Sequence, residues 1–376
     1  MAGRRGVWHW RPAGLRAVLA VALSLAATGV AHADILIGIA GPKQGIMGVG
    51  ALELTGAEKA VADLARAGGL LGQNVELRVY DDGCDDARGA EVARRAVADG
   101  VAVMIGHSCS GASIAAAPVY AAAGIVQLTP SSTSPELTAL GIGTVFRVCG
   151  RDDRQAAVAA DLMLKQWRDR RIAVIDDEST YGAGLARLVV DALRAGGVEP
   201  ALIRQYAGGS SPAALANALN ARRIDVVYLG SYEEPAGRVV LAARERGGAQ
   251  VFLGGDALGA DGFLAVAGPH AEGLLFTFGA DPRTMASAAT VTARLRAGGF
   301  EPSGYALYGY AAVEAWAQAV TRAGTTEAKA VAAALHGGTF ETVLGNIGFD
   351  ADGDVTGFET FGWFRWHGGQ PVTATP

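Results

Sequence analysis

Residues 75–130, VELRVYDDGCDDARGAEVARRAVADGVAVMIGHSCSGASIAAAPVYAAAGIVQLTP, alternate short apolar runs with stretches of helical spacing. VELRVYD, AVMIG and GIVQLTP read as strands, with helices over 87–99 and 112–123 between them. Strands separated by single amphipathic helices pair in parallel, because each helix returns the chain to the starting edge of the sheet. ILIGIA at 35–40 and a helix over 52–67 extend the series in front. The unit then recurs as RIAVIDD, helix 183–195, PALIRQY, helix 212–221, DVVYLGS, helix 234–246 and QVFLGGD. The expected fold class is therefore α/β, with two doubly wound units in tandem, each of ordinary domain size. The remaining third offers GLLFTFG, helical stretches near 285–297, 308–323 and 329–336, and the strand-like FETFGWFRWHGG at 358–369. These fit as extra helices and edge strands returning to the two earlier sheets.

Composition excludes several classes. The 376 residues carry 32 Lys+Arg and 37 Asp+Glu, a net of −5, so nothing balances a phosphate backbone and nucleic acid is not an expected partner. With 53 glycines and 13 prolines between short apolar runs, frequent turns replace long rods, and a coiled coil is out. Residues 1–33 place Arg4, Arg5, Arg11 and Arg16 before an apolar stretch from about 17 to 31 and end in Ala31-His32-Ala33, the pattern of a cleaved secretory signal peptide. The apolar run is shorter than the ~20 residues a membrane anchor needs. Removing four arginines and no acid leaves a mature chain from Asp34 with a net of about −9. The expectation is a soluble exported protein, in the periplasm if the source is Gram-negative.

Of three cysteines, Cys84 and Cys109 each follow a strand-like run. Pairing them would close a 25-residue interval, worth about 3 kcal/mol in the loop-entropy account, and leave Cys149 as a small buried apolar group. Three thiols cannot make a four-thiolate zinc site, and no HxxxH pair exists among the six histidines, so no metal is expected.

In open α/β sheets ligands sit beyond the carboxyl ends of the strands. Those ends here are HSCSG, TPSSTS, CGRDD, DDESTYG, GSYEEP and GGDALG, all rich in hydroxyl and acidic residues. Hydroxyls at helix starts are ordinary N-caps, yet the same free N–H groups make a carboxylate site. An acid on the facing unit, Asp256 or Asp152, would complement an ammonium. Together the two signs suit a zwitterion.

The runs GPKQGIMGVGALELTGAEKAV, GGLLGQNVELRVYDDGCDD, IGHSCSG, TPSSTSPELT, FRVCGRDDRQ, DESTYGAGLA and FDADGDVTGF resemble the periplasmic leucine/isoleucine/valine-binding proteins of branched-chain amino-acid ABC transporters. The resemblance spans essentially the whole mature chain. It implies a type I periplasmic binding fold whose two α/β lobes are joined by a three-crossover hinge, with residues 34–151 and 283–360 in lobe 1 and 152–282 and 361–376 in lobe 2. It also supports the Cys84–Cys109 disulfide. By matching motif positions, Ser110 and Thr133 would hold a ligand carboxylate, with the Tyr232 hydroxyl closing over it. The ammonium would meet the Ser131 carbonyl, the Thr133 hydroxyl and Asp256. Tyr181 would pack near the ligand, and Asp152 would stand at the crossover between lobes. Three positions depart from the family pattern. Asp256 replaces Glu, Val49 replaces an aromatic cap over the ligand's side chain, and Ser131 replaces a small apolar residue. The implied ligand is an apolar, branched-chain amino acid, the partner a membrane permease, and the chain a monomer without cofactor. The same fold would also serve a ligand sensor, or a binding protein for an amide or an aromatic acid.

Enzymatic readings find little purchase. GHSCSG is not a GxSxG elbow. GVGALE lacks the third glycine of a dinucleotide fingerprint. DADGD at 350–354 begins like a calcium loop, but its sixth position is Val355 and its twelfth Phe361, so a solvated turn is expected. The paired aspartates at strand ends read as helix caps.

Overall fold

The computed structural model describes residues 1–3, 6, 34–43, 48–206, 209–358 and 361–375, with side chains at 48 and 49 outside that description. Residues 1–32 and 33–376 form separate units, and the fold belongs to the second. The expected signal peptide lies largely outside the described residues.

The first half begins β1 (Ile35–Gly41), α1 (Gly48–Arg66), β2 (Val75–Asp81), α2 (Asp86–Asp99), β3 (Val103–Gly106), α3 (Ser110–Ala123), β4 (Val126–Thr129), α4 (Pro135–Ala139) and β5 (Val145–Arg147). Its five strands are parallel, in the order β2-β1-β3-β4-β5. β3, β4 and β5 are buried at every position, as strands covered on both faces must be.

The chain continues α5 (Asp152–Gln166), β6 (Ile172–Asp176), α6 (Thr180–Ala195), β7 (Leu202–Gln205), α7 (Pro212–Ala221), β8 (Val226–Gly230), α8 (Glu233–Glu245), β9 (Val251–Gly254), α9 (Asp261–Ala267) and β10 (Leu275–Phe278). These five strands run parallel in the order β7-β6-β8-β9-β10, the same permutation as the first sheet. Both sheets thus reverse direction between their first and third strands, at β1/β3 and β6/β8. A crevice opens where strand order reverses, which places the loops after these four strands at the natural ligand positions.

The last part supplies α10 (Ala289–Ala297), α11 (Ala306–Ala323), α12 (Ala328–His336), β11 (Thr339–Thr342), β12 (Gly345–Phe349), β13 (Val355–Thr356), β14 (Gly362–His367) and β15 (Gln370–Thr373). β14 pairs antiparallel with β10 and β15 with β14, so the chain's end closes the second sheet. The strand-like FETFGWFRWHGG contributes β14 and the turn into β15, and its Trp366 is buried with Nε1 donating to the Leu258 carbonyl at 2.8 Å. β11–β13 make a small antiparallel sheet that the sequence pattern did not announce. Its strands are short, and β12 carries two glycines.

α11 lies tightly on α1. A Cβ at Gly56 would stand 1.8 Å from the Ala306 carbonyl, and one at Gly309 would stand 2.3 Å from the Glu53 carbonyl. This backbone-to-backbone approach, open only to glycine, sets where α1 presents Glu53 and where the start of α11 presents Tyr305.

The DADGD turn is not simply solvated. Asp354 is buried, and its carboxylate meets Arg147 Nε at 2.5 Å and Arg151 Nη1 at 2.8 Å. Arg147 is fully buried and also donates to the carbonyls of Ser132 (2.6 Å) and Ser134 (3.0 Å). One guanidinium therefore fastens the β12–β13 turn to the loop after β4. A buried charge is stable only when paired and saturated with hydrogen bonds, and here both conditions are met.

Candidate functional site

Ser110 opens α3, and the first N–H groups of that helix have no acceptor within it. The disulfide between Cys84 and Cys109 ties this helix start to the loop after β2, with the two Cα atoms 5.4 Å apart. Beneath it the His107 carbonyl collects three hydroxyls, from Ser113 (3.0 Å), Thr129 (2.7 Å) and Ser132 (3.0 Å). The His107 ring is spent elsewhere, 2.6 Å from Asp82 and 3.0 Å from the Tyr120 hydroxyl. Among the described residues its partners are Asp82 and Tyr120 alone, through which the histidine braces the loop. Cys149 is buried and unpaired, and burial raises its thiol pKa, which keeps it protonated and inert.

From the second sheet come Tyr181, second residue of α6, and Tyr232, which stands at the start of α8. Their rings pack with centroids 4.9 Å apart. The Tyr232 backbone N–H donates to Asp177 at 2.7 Å, and burial raises the pKa of its hydroxyl, an effect the nearby Ser110 backbone N–H partly offsets. The strand-end aspartates thus do more than cap helices. Asp85 caps α2, whereas Asp177 fixes the tyrosine loop.

Asp256, just after β9, accepts from Gln155 Nε2 (2.8 Å), the Tyr181 hydroxyl (2.9 Å) and the Tyr305 hydroxyl (2.8 Å). Burial raises its pKa, and those three donors pull the other way. Asp152, first residue of α5, is tied through its backbone N–H to the Thr133 carbonyl at 3.0 Å. Its carboxylate is buried, and neither oxygen reaches a hydrogen-bond partner. Burial and then the charge of Asp256 raise the Asp152 pKa strongly, with the adjacent Thr133 hydroxyl and the charge of Arg147 only partly offsetting them. The Thr133 hydroxyl alongside is also without a partner in hydrogen-bonding geometry, as is Gln155 Oε1. Two buried carboxyls lie together, Asp256 already saturated by its three donors and Asp152 with both oxygens unfilled, its only offsets the Thr133 hydroxyl and the charge of buried Arg147, and such a pair favours added positive charge and N–H donors.

The structure therefore gathers Ser110, Thr133, Asp152, Tyr181, Tyr232 and Asp256 at the facing strand ends. Ser131 lies on the same loop as Thr133, but its hydroxyl turns away toward Glu53 and the Ser108 carbonyl. The Val49 side chain lies outside the described residues. Glu53, Gln155 and Tyr305 were missed from the sequence. A signal for Glu53 existed, since it sits in register with Gly56, Ala57 and Ala60, a carboxylate on the apolar stripe of a helix. Nothing local marks Gln155 or Tyr305.

The profile of the periplasmic binding protein family matches residues 34–369. The chain belongs to that family. Among curated relatives, the "Leu/Ile/Val-binding protein homolog 1" of Brucella suis is 38% identical over 350 residues, covering 92% of this chain and 94% of the relative. An "Amino acid binding protein" of Pseudomonas aeruginosa is 36% identical, covering 93% and 96%. A substrate-binding protein of an ABC transporter from Desulfitobacterium hafniense, solved in complex with Leu, superposes with a TM-score of 0.73 at 28% identity, covering 91% of this chain and all of that one. The type I periplasmic binding fold and a solute-binding role follow for this chain, and the family is one of binding proteins and not of enzymes.

The buried acids make the ligand-free protein sensitive to pH. Burial raises Glu53 from the ordinary 4.5 to about 8, with Ser131 and Ser108 partly offsetting it. A carboxyl raised on folding contributes stability that is fully present below its unfolded value and lost as pH rises to the folded value. Between about pH 4.5 and 8 the wild type should lose stability relative to Glu53→Gln by up to about 1.4 kcal/mol per pH unit. Parallel chemical unfolding of the two proteins across that range checks this. Superimposable slopes would show that Glu53 is not held neutral by the fold.

Proposed function

We propose that this periplasmic binding protein captures an α-amino acid, of the branched-chain shape its relatives' names record, between two lobes, and delivers it to the membrane permease of an ABC importer. The observation that carries the reading is the buried, unpartnered Asp152 carboxylate beside Asp256, facing a free helix start and hydroxyls. Asp152 and Asp256 take the ammonium, together with the Thr133 hydroxyl and the Ser131 carbonyl. The first N–H groups of α3, the Ser110 and Thr133 hydroxyls and Tyr232 take the carboxylate, which sits between the Tyr232 hydroxyl and the start of α3. Tyr181 packs against the bound molecule and Val49 stands over its side chain.

Lobe 1 comprises residues 34–151 and 283–360, lobe 2 residues 152–282 and 361–376, with the hinge in the crossovers between them. Phe278 packs on Tyr305 with ring centroids 4.8 Å apart and the Tyr308 hydroxyl donates to the Ala280 carbonyl at 3.2 Å, and the lobes also meet through polar side-chain contacts: Thr180 Oγ1 to Asp86 at 3.0 Å, Arg187 to Glu136 at 3.4 Å, and Tyr305 to Asp256. Such contacts are weak enough for hinge opening to break, and a ligand bridging both lobes biases the closed form that a permease reads. The chain acts as an exported, cofactor-free monomer in the periplasm, after loss of residues 1–33, and catalyses no reaction.

Thermal unfolding of the ligand-stripped mature protein against the twenty amino acids, urea, short amides and benzoate tests this. A ligand at a thousand times its Kd adds about 4 kcal/mol. Stabilisation by Val, Leu or Ile is the expected result. Silence from every amino acid, with a response to an amide or benzoate, overturns the ligand class while leaving the fold.

A further inference from the structure

Two polar contacts cross from α6 to the first sheet's side of the molecule, and they leave from one face of that helix. Thr180, its first residue, donates its hydroxyl to Asp86 Oδ2 at 3.0 Å, and Arg187 reaches Glu136 Oε1 at 3.4 Å. Residues seven apart stand two turns along the same face, ~10 Å from each other. α3 packs against α2, α4 and α6. Asp86 opens α2 and Glu136 lies in the first turn of α4, so α6 lies on α3 and grips one acid from the helix before it and one from the helix after.

Asp86 is placed by more than Thr180. A Cβ at Gly111, the second residue of α3, would stand 1.9 Å from Asp86 Oδ1, so the carboxylate lies against the first turn of α3 and only glycine leaves it room. Helix starts carry partial positive charge. One carboxylate therefore serves three of them, α2 and α3 on its own side of the cleft and α6 on the other. Opening the cleft removes the third and leaves the first two. Neither Thr180 nor Arg187 belongs to the ligand groups set out above, and a contact made only in the closed form stabilises that form whatever molecule lies inside.

We propose that α6 is a closure latch: Thr180 on Asp86 and Arg187 on Glu136 hold the lobes shut independently of the ligand, and so set how long a bound molecule is retained without taking part in choosing it. This rests on the two-lobe reading above and not on the ligand's identity. The sign of the effect is diagnostic for Asp86, because loss of a negative charge beside the start of α3 would by itself favour an anionic ligand group there.

Stopped-flow release of leucine and of valine at low ionic strength, where an exposed ion pair is least screened, tests the latch in Thr180→Val, Arg187→Met and the double variant. Valine keeps the shape of threonine and removes the donor. Both ligands should leave the double variant at least threefold faster than the unmodified protein, with the leucine-to-valine affinity ratio held within twofold. In an Asp86→Ala background, Thr180→Val should change the rate no further. A double variant less than threefold faster, a larger shift in the ratio, or a full Thr180→Val effect without Asp86 overturns the latch. Failure of the unmodified protein to bind leucine or valine removes the amino-acid reading instead. Spin labels at the exposed positions of Lys59→Cys on α1 and Asn217→Cys on α7 then decide the latch in the ligand-free protein. The double variant should shift the distances between labels to longer values, and an unchanged distribution overturns it.

Discussion

Asp256→Ala is expected to weaken amino-acid binding more than tenfold in calorimetry at neutral pH. The carboxylate sits at the meeting point of Gln155, Tyr181 and Tyr305, two of them elements of the second half and one from the start of α11. Its removal acts twice. A ligand ammonium enclosed in the closed form loses one of its two carboxylate partners, at a cost of about 2 to 5 kcal/mol for a desolvated charge pair. The three donors that Asp256 now collects are also released, so Tyr181 no longer has a fixed position against the ligand and Tyr305 no longer bridges the halves. Asp256→Asn separates the two contributions, since an amide oxygen still accepts hydrogen bonds but carries no charge. A large loss in both variants identifies charge as the dominant factor; a large loss in alanine alone identifies positioning. Unchanged affinity in Asp256→Ala removes the residue from the site.

The second large effect concerns stability. Arg147→Met should lower the unfolding free energy by about 3 to 5 kcal/mol, measured by chemical denaturation without ligand. Methionine fills much of the volume, so packing is largely kept. Asp354, however, loses its inner partner, and the carbonyls of Ser132 and Ser134 lose the donors that order the loop carrying Thr133. Arg151 still reaches Asp354 from the more exposed side at 2.8 Å, which limits the loss. A change below about 1 kcal/mol would mean that this arginine is replaceable and that the loop is held by its hydroxyl network alone.

Much of the fold was legible because it is written in local patterns. Each β-α alternation leaves a signature of apolar run, turn and amphipathic stretch, and the second unit repeated the first. The small sheet of β11–β13 left no such trace, because strands of four, five and two residues give too little periodicity. α5 went unread for another reason. Its first turn, DDRQ, looked like a polar loop, whereas burial of Asp152 and Gln155 depends on packing against residues about a hundred positions away, such as Asp256.

The site divides along the same line. Hydroxyls and acids at strand ends were visible as types in a sequence, and the motif likeness pointed to Ser110, Thr133, Tyr181, Tyr232 and Asp256. Their company was not visible. That Asp256 is already saturated while Asp152 is bare, that the Ser131 hydroxyl serves Glu53, and that DADGD anchors Arg147 are facts of long-range contact. By itself the sequence determined the α/β class, the duplication and the strand ends where chemistry gathers, because these follow from short-range periodicity and turn residues. Only the tertiary structure decided which carboxyls lie buried side by side and which remain without partners, because desolvation and pairing are set by groups that meet only when the two sheets and α11 come together.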